Sequence, residues 1–285
     1  MTELSNRALL VSLRISQWTA RKLDRRETAE VAARHGLKGD IARVNKDLLP
    51  QSHELDKIHK MTGAIRTDYY RYSLPWGQDG VQIIKSDAYL GFTQMLSTWK
   101  SKWYAAVEAF IDVYPELQHE ARWKLNGLYR DEDYPDVDRL RGKFSMSVGF
   151  TPVPTADDWR VDVGDEGMAY LREQITRDVV ESQGAAMKAA WGRIYDVVSR
   201  AHERLASPDN VFRDSLIENA RELCSILPSL NITDDPALEA MRQEVERTLC
   251  STDAQGFRDD TVLRQQTSDK LAAIMAQMGG LYGAA

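Results

Sequence analysis

The residues with the widest chemical reach in this chain are five histidines, two cysteines and one dense run of acids. The histidines are His35, His53, His59, His119 and His202. His53 and His59 stand six positions apart, which places them on different faces of a helix. His119-Glu120 is followed by no second His at the spacing of a helical zinc site. The acids Asp131, Glu132, Asp133, Asp136 and Asp138 offer the oxygen ligands a hard cation takes. Pro135 interrupts them and the central Gly of a calcium loop is missing, so they read as a solvated loop. Phosphate cradles of the GxxxxGK[ST] and GxGxxG types are absent, and Met278-Gly279-Gly280 lacks the strand and helix such a loop joins. There is no GxSxG elbow, and neither cysteine has a His near it in sequence. The expectation is a non-enzymatic protein with no catalytic residue, no metal and no cofactor. The remaining enzymatic route is a dispersed site assembled by the fold.

Binding chemistry is easier to place. Trp18 is followed by Arg21 and Lys22, then by Arg25 and Arg26, the mix of aromatic face and cations that suits bases and phosphates. These five residues are the candidate nucleic-acid contacts. Tyr69-Tyr70-Arg71-Tyr72 is a second, shorter match. Aromatics in such positions more often pack on a core while Arg heads reach water. Residues 1–66 hold thirteen Lys and Arg against eight Asp and Glu, a net of +5, while the whole chain carries −6. A basic end beside an acidic body fits a nucleic-acid footprint, but it fits better with the two parts packing on each other. Trp99, Trp103 and Tyr104 share one helix face and read as core or partner-facing surface, not as a cofactor box.

The elements that must position these residues follow from periodicity. Leu9, Val11, Leu13 and Ile15 alternate with polar residues and predict a half-buried strand over 9–16. The pattern turns helical from Trp18 to His35-Gly36, and again from about 40 to 49. Ser52 opens a further helix through Ile65, and Gly80–Lys85 suits a short strand. The strongest helix spans 87–113, with a stripe from Leu90 through Trp99, Trp103 and Phe110 to Ile111; Pro115 marks a break before a helix over 116–128. Residues 143–150 and 159–163 alternate and predict a hairpin that the strand at 9–16 joins. A long helix follows over 166–205 with Gly184 and Gly192 inside it, then helices near 209–227, 235–250 and 257–278 and a loose Gly-rich tail. The fold class is therefore α+β, predominantly α, with long helices and a small antiparallel sheet. A main domain over 1–205 and a helical region over 206–285 are the expected divisions. The stripes of 87–113 and 166–205 are wider than a heptad seam, which favours burial within one chain without fixing the oligomeric state.

The chain has 285 residues, 43% apolar and 28% charged, with seven Trp and eleven Tyr, a globular composition with material for a core. The apolar stretch at the N-terminus is broken by Ser12, Arg14 and Ser16, so neither a signal peptide nor a membrane span is expected. Cys224 and Cys250 make no disulfide framework and read as two small buried hydrophobes in a reducing cytoplasm.

Three stretches, LLVSLRISQWTARKLD, LPWGQDG and DEDYPDVDRLRGKFSMSVGFTPVPTADDWRVDV, occur in this order. On them, residues 7–205 resemble a family of bacteriophage and mobile-element proteins that has no assigned catalytic role. Its genes often neighbour a MoxR-type AAA ATPase and a von Willebrand factor A-like protein. What the resemblance implies is a protein partner in the host cytoplasm and not a reaction; it supplies no site residues. The leading expectation is an accessory protein that works through protein–protein contacts with such an ATPase system. The alternative is a nucleic-acid-binding protein of phage DNA metabolism or counter-defence.

Overall fold

A computed structural model describes residues 2–39, 41–77, 80–156, 164–207 and 213–282. The described residues form ten α-helices, a four-stranded antiparallel sheet and a two-stranded one, so the protein is α+β and mainly α. They fall into two compact units. Unit 1 comprises residues 1–13, 68–93 and 148–285, and unit 2 comprises 14–67 and 94–147. Residues on both sides of 206–209 lie in unit 1. No helix of the described residues is long and apolar enough to cross a membrane.

Unit 1 holds α1 (Thr2–Arg7) and most of the larger sheet. Its strands are β1 (Ala8–Ser16), β4 (Leu74–Pro75), β5 (Gln82–Lys85) and β6 (Ser145–Pro152), in the order β4-β5-β1-β6. Ala8 to Val11 pair antiparallel with Lys85 to Gln82. With β5 on one side and β6 on the other, β1 is a central strand. Its first half buries Ala8, Leu10 and Val11 on both faces instead of showing the simple alternation its sequence predicts. Among the described residues, β6 joins β1 as expected; the strand anticipated at 159–163 lies outside them.

The helices of this unit are α6 (Gly164–Leu205), α7 (Asp214–Leu230), α8 (Pro236–Leu249), α9 (Ala254–Asp259) and α10 (Thr261–Tyr282). Ile217, Ala220, Cys224, Leu227 and Leu230 recur at helical spacing on α7 and are buried together. They meet Ala190, Ile194, Val198 and Ala201 of α6 and Leu271, Ile274 and Met278 of α10 in one core. The helix expected over 257–278 is divided at Asp260. Its second part runs on through Gly279 and Gly280, where a loose tail was expected.

Helix ends in unit 1 are closed by guanidiniums. Arg193 donates to the carbonyls of Tyr70, Arg71 and Ser73 at 2.8, 2.7 and 2.6 Å, at the C-terminal end of α3 (His53–Arg71), where the helix leaves carbonyls unpaired. Arg264 closes α6 the same way through the carbonyls of Arg204 and Leu205. Gly184, in contrast, has no close neighbour: a Cβ added there meets nothing within 4 Å. Gly184→Ala is therefore expected to stabilise the protein by about 0.5–1 kcal/mol, read as a higher urea midpoint at unchanged slope.

Unit 2 contains α2 (Arg25–Arg34), most of α3 and of α4 (Tyr89–Leu125), α5 (Val137–Arg141), and the paired strands β2 (Arg21–Leu23) and β3 (Asn45–Asp47). Three expectations are corrected here. The chain after Trp18 is not helical until Arg25. Ala20 has φ +52, which an α-helix cannot pass through, and the Asp24 carboxylate caps α2 by accepting from the N–H groups of Arg26 and Glu27. Of the helix expected over 40–49, the described residues 41–49 hold β3 and not a helix, because Arg21 to Leu23 pair with Asp47 to Asn45. The ladder is extended by Asp24 N–H to Val44 O and Leu48 N–H to Ala20 O. Finally, α4 runs through Pro115 without ending. Burial of Ile111 and Tyr114 beside the proline holds a turn that propensity alone would break at a cost of about 3 kcal/mol. Of the expected stripe on α4, Trp103, Phe110 and Ile111 are buried, Trp99 is half-buried and Leu90 faces solvent.

The core of unit 2 is aromatic. Trp103, Phe110, Tyr114 and Phe144 contact one another edge-on or tilted, with centroids about 6 Å apart.

Candidate functional site

The most organised polar site lies in unit 2, where β2 and β3 meet the short helical turn at Asp131–Asp133. Lys22 and Lys46 are direct cross-strand partners in the ladder. Like charges placed so repel. Asp133 resolves the conflict: one carboxylate oxygen contacts Lys22 Nζ and the other lies 2.5 Å from Lys46 Nζ. Lys46 also sits 3.5 Å from Asp24 and donates to the carbonyl of Leu128 at 3.0 Å. Asp133, Lys46 and Asp24 are almost wholly buried, while the Lys22 side chain is 48% exposed.

These charges hold the two carboxylates ionised. For Asp24 the chief cause is the N–H of Glu27; burial opposes it, and Lys46 adds to the lowering. For Asp133 burial pushes the pKa up, but the hydrogen bonds and charge of Lys22 and Lys46 outweigh it and the net shift is downward. A carboxylate lowered on folding adds stability above its unfolded pKa, near 3.8, and that stability is lost as pH falls through its folded value. Stability is therefore expected to be flat from neutrality to about pH 5 and to fall steeply below about pH 4. Asp133→Asn should flatten that fall in acid titrations of the unfolding midpoint.

A cavity of about 540 Å³ opens beside this network. The cations Lys22, Arg25, Arg26, Lys46 and Arg130 line it together with Asp24, Glu132 and Asp133. Lys22 and Lys46 are neutralised by the buried acids, and Arg130 stands 3.8 Å from Glu132. Arg25 and Arg26, in the first turn of α2, are exposed and make no ion pair with a described residue.

The structure thus brings Lys22, Arg25 and Arg26 together and separates the other two anticipated contacts. Arg21, one residue away on the strand, lines a different cavity with Gln17, Asp56 and His59. Trp18 packs against Phe110 and Tyr114, at 6.4 and 5.9 Å between centroids, and its carbonyl meets His59 Nε2 at 2.9 Å. It packs on the aromatic core and is half-buried. The residues missed from sequence are Lys46, Arg130, Glu132 and Asp133. Asp133 in particular belongs to an acidic run that reads as fully solvated, and it is buried.

No protein-family model, no curated protein and no solved structure matches the chain.

The site is accordingly read from its own geometry. It has charge and volume but, among the described residues, no nucleophile with an organised base. Among the described residues no group of His, Cys, Asp and Glu is arranged to hold a metal ion. Away from this site, Ser268 Oγ lies 3.1 Å from His202 Nδ1, the spacing of a nucleophile and its base. Ser268 is 1% exposed between α6 and α10, closed to any substrate, and its own carbonyl takes the same ring nitrogen at 3.0 Å.

Proposed function

We propose that this protein is a non-enzymatic accessory protein of a bacteriophage or mobile element that acts through protein–protein contacts. A MoxR-type AAA ATPase, or the von Willebrand factor A-like protein encoded beside it, is the candidate partner. The observation that carries the contact site is the pair Arg25 and Arg26, exposed and without an ion partner among the described residues, at the mouth of a mixed-charge pocket. An acidic segment of a partner protein suits it. Arg is the cation best matched to planar carboxylates, and its exposed Leu23 neighbour adds apolar contact. The resemblance to mobile-element proteins supplies the partner class.

A nucleic-acid ligand suits the pocket less well. Three carboxylates line it, two of its five cations are already neutralised, and Trp18 does not line it. The test separates the two. Tagged wild-type chain and an Arg25→Glu/Arg26→Glu variant are mixed with the purified ATPase and its neighbour, with and without nuclease. Expected is co-purification that survives nuclease and drops at least tenfold in the variant. Co-purification lost to nuclease, together with a salt-steep gel shift, would replace this reading with nucleic-acid binding. Equal capture by wild type and variant would remove the pocket as the contact.

A further inference from the structure

The β2–β3 ladder has a second face, turned away from the buried lysine network. Side chains along a strand alternate between its two sides, so Arg21 and Asp47 lie on the face opposite Lys22 and Lys46. Like the two lysines, Arg21 and Asp47 are direct cross-strand partners. Opposite charges so placed attract, yet these two form no ion pair with each other or with another described residue. They line a separate cavity of about 510 Å³ together with Asp56, in the first turn of α3, and His59, three residues further on. Arg21 and Asp56 are exposed, and neither side chain has an ion pair or hydrogen bond with a described residue. Asp47 spends one oxygen on the Leu49 N–H at 3.2 Å and keeps the other without a described partner. Uncompensated charges of both signs therefore face one cavity.

The rest of the lining completes a polar site with an apolar part. Gln17 takes the Thr62 hydroxyl on Oε1 at 2.6 Å, which leaves its NH2 as a donor. His59 Nε2 lies 2.9 Å from the Trp18 carbonyl, an acceptor only, so Nε2 carries the proton and Nδ1 is an acceptor in the neutral ring. Leu49 and Leu55, both buried, supply the apolar part. Gln51, also in the lining, is held at φ +68, a left-handed conformation that costs a residue with a side chain free energy and that clusters at ligand sites. The volume falls within the range of small-molecule sites. The charges narrow the ligand. A phosphate would meet two carboxylates and a polyamine would meet Arg21, while the lining has no aromatic ring for a base to stack on. A small zwitterion satisfies both signs at once.

We propose that this cavity binds a free α-amino acid with an uncharged side chain, its carboxylate on Arg21 and its ammonium on Asp56 and Asp47. The guanidinium presents a planar fork that matches a carboxylate with two parallel hydrogen bonds. The ammonium has three donors, which the two carboxylates take up. With the head group so held, an uncharged side chain meets Leu49, Leu55 and the Gln17 amide, none of which offers a charge. Arg21, Asp47 and Asp56 stand on β2, β3 and α3, so the three charges are carried by regular elements and are in place before a ligand arrives. The site is distinct from the cavity that holds Arg25 and Arg26, with no lining residue in common.

The full-length chain is titrated with L-leucine, L-valine, L-glutamine and L-serine, followed by saturation-transfer NMR. At least one should bind with a dissociation constant of about 1 mM or tighter. The N-acetyl and amide derivatives of the tightest binder each lack one charge, and each should bind about tenfold more weakly or worse, the loss of one hydrogen bond to a charged group. That comparison needs no variant. Arg21→Gln and Asp56→Asn should weaken the amino acid by a similar factor while melting as wild type does, because both side chains are exposed and unpaired. Arg25→Glu/Arg26→Glu, at the other cavity, should bind it unchanged. No binding of any of the four at about 10 mM would overturn the proposal. So would derivatives that bind as tightly as the parent, or an Arg21→Gln chain that binds like wild type. Loss of binding in Arg25→Glu/Arg26→Glu alone would place the amino acid in the other cavity and equally overturn it.

Discussion

Lys46→Met is expected to lower stability by about 3–5 kcal/mol, the cost of breaking a buried ion pair from one side. Methionine keeps the length and apolar stem of the lysine, so the loss reports the charge and not a cavity. What remains is Asp133, 2% exposed, facing only Lys22, whose half-exposed ammonium is already hydrated, and Asp24 without its cation. Two carboxylates are then left in a site built for a cation between them. The change is read in urea titrations followed by tryptophan fluorescence, since Trp18 and Trp103 both lie in unit 2. A loss below about 1 kcal/mol would mean that water takes over the role of Lys46, as at a surface pair. A second variant tells the two contributions apart. Lys46→Met combined with Asp133→Leu removes both charges, and replacing a buried pair by apolar groups is often close to neutral. The double variant should therefore recover much of the loss, although Lys22 is then left without its partner.

This network marks where the sequence stops being legible. Helices with long apolar stripes, such as α3, α4 and α6, are visible because a period of 3.6 is repeated over many turns. Strands β1 and β6 are visible by alternation, and the fold class follows from the two together. In segment 18–49 periodicity predicts two helices, whereas the described residues hold one, α2, between strands β2 and β3. Its structure is decided by single residues: the Asp24 cap, the positive φ of Ala20, and a three-residue ladder between distant strands. None of these has a period. The site inherits the difficulty. Lys22, Arg25 and Arg26 are near each other in sequence and could be grouped, but Lys46 and Asp133 reach them only through β2–β3 pairing and the return of the chain after α4. The basic excess of residues 1–66 does find acids further along, as charge balance predicted: Lys22 and Lys46 meet Asp133, and Arg7 meets Asp234. Trp18, whose arginine and lysine neighbours suggest a binding face, packs its ring against Phe110 and Tyr114.

Trp103→Ala is expected to cost about 3–5 kcal/mol, the range for emptying an aromatic site in a closed core. Trp103 is completely buried, with Phe144 and Tyr104 edge-on to its ring. Packing is only part of the cost. The indole N–H donates to Thr62 Oγ1 at 2.9 Å, and that hydroxyl passes its own proton on to Gln17 Oε1 at 2.6 Å or to the Ile58 carbonyl at 3.0 Å. The relay ties α4 to α3 and to the chain just after β1, all within unit 2. Trp103→Phe keeps most of the ring contact and removes the donor, so it should cost less, about 1–3 kcal/mol, mostly from the buried hydroxyl left without its incoming hydrogen bond. Thr62→Val alone strands the indole N–H and should cost a similar amount. The two together remove both ends of the bond, so their combined loss should fall short of the sum by about 1 kcal/mol or more, measured as a double-mutant cycle in urea. Strict additivity would mean that Thr62 and Trp103 contribute only through packing. In that case the relay is a consequence of the fold, and the hydrophobic stripe of α4 alone fixes its register against α3.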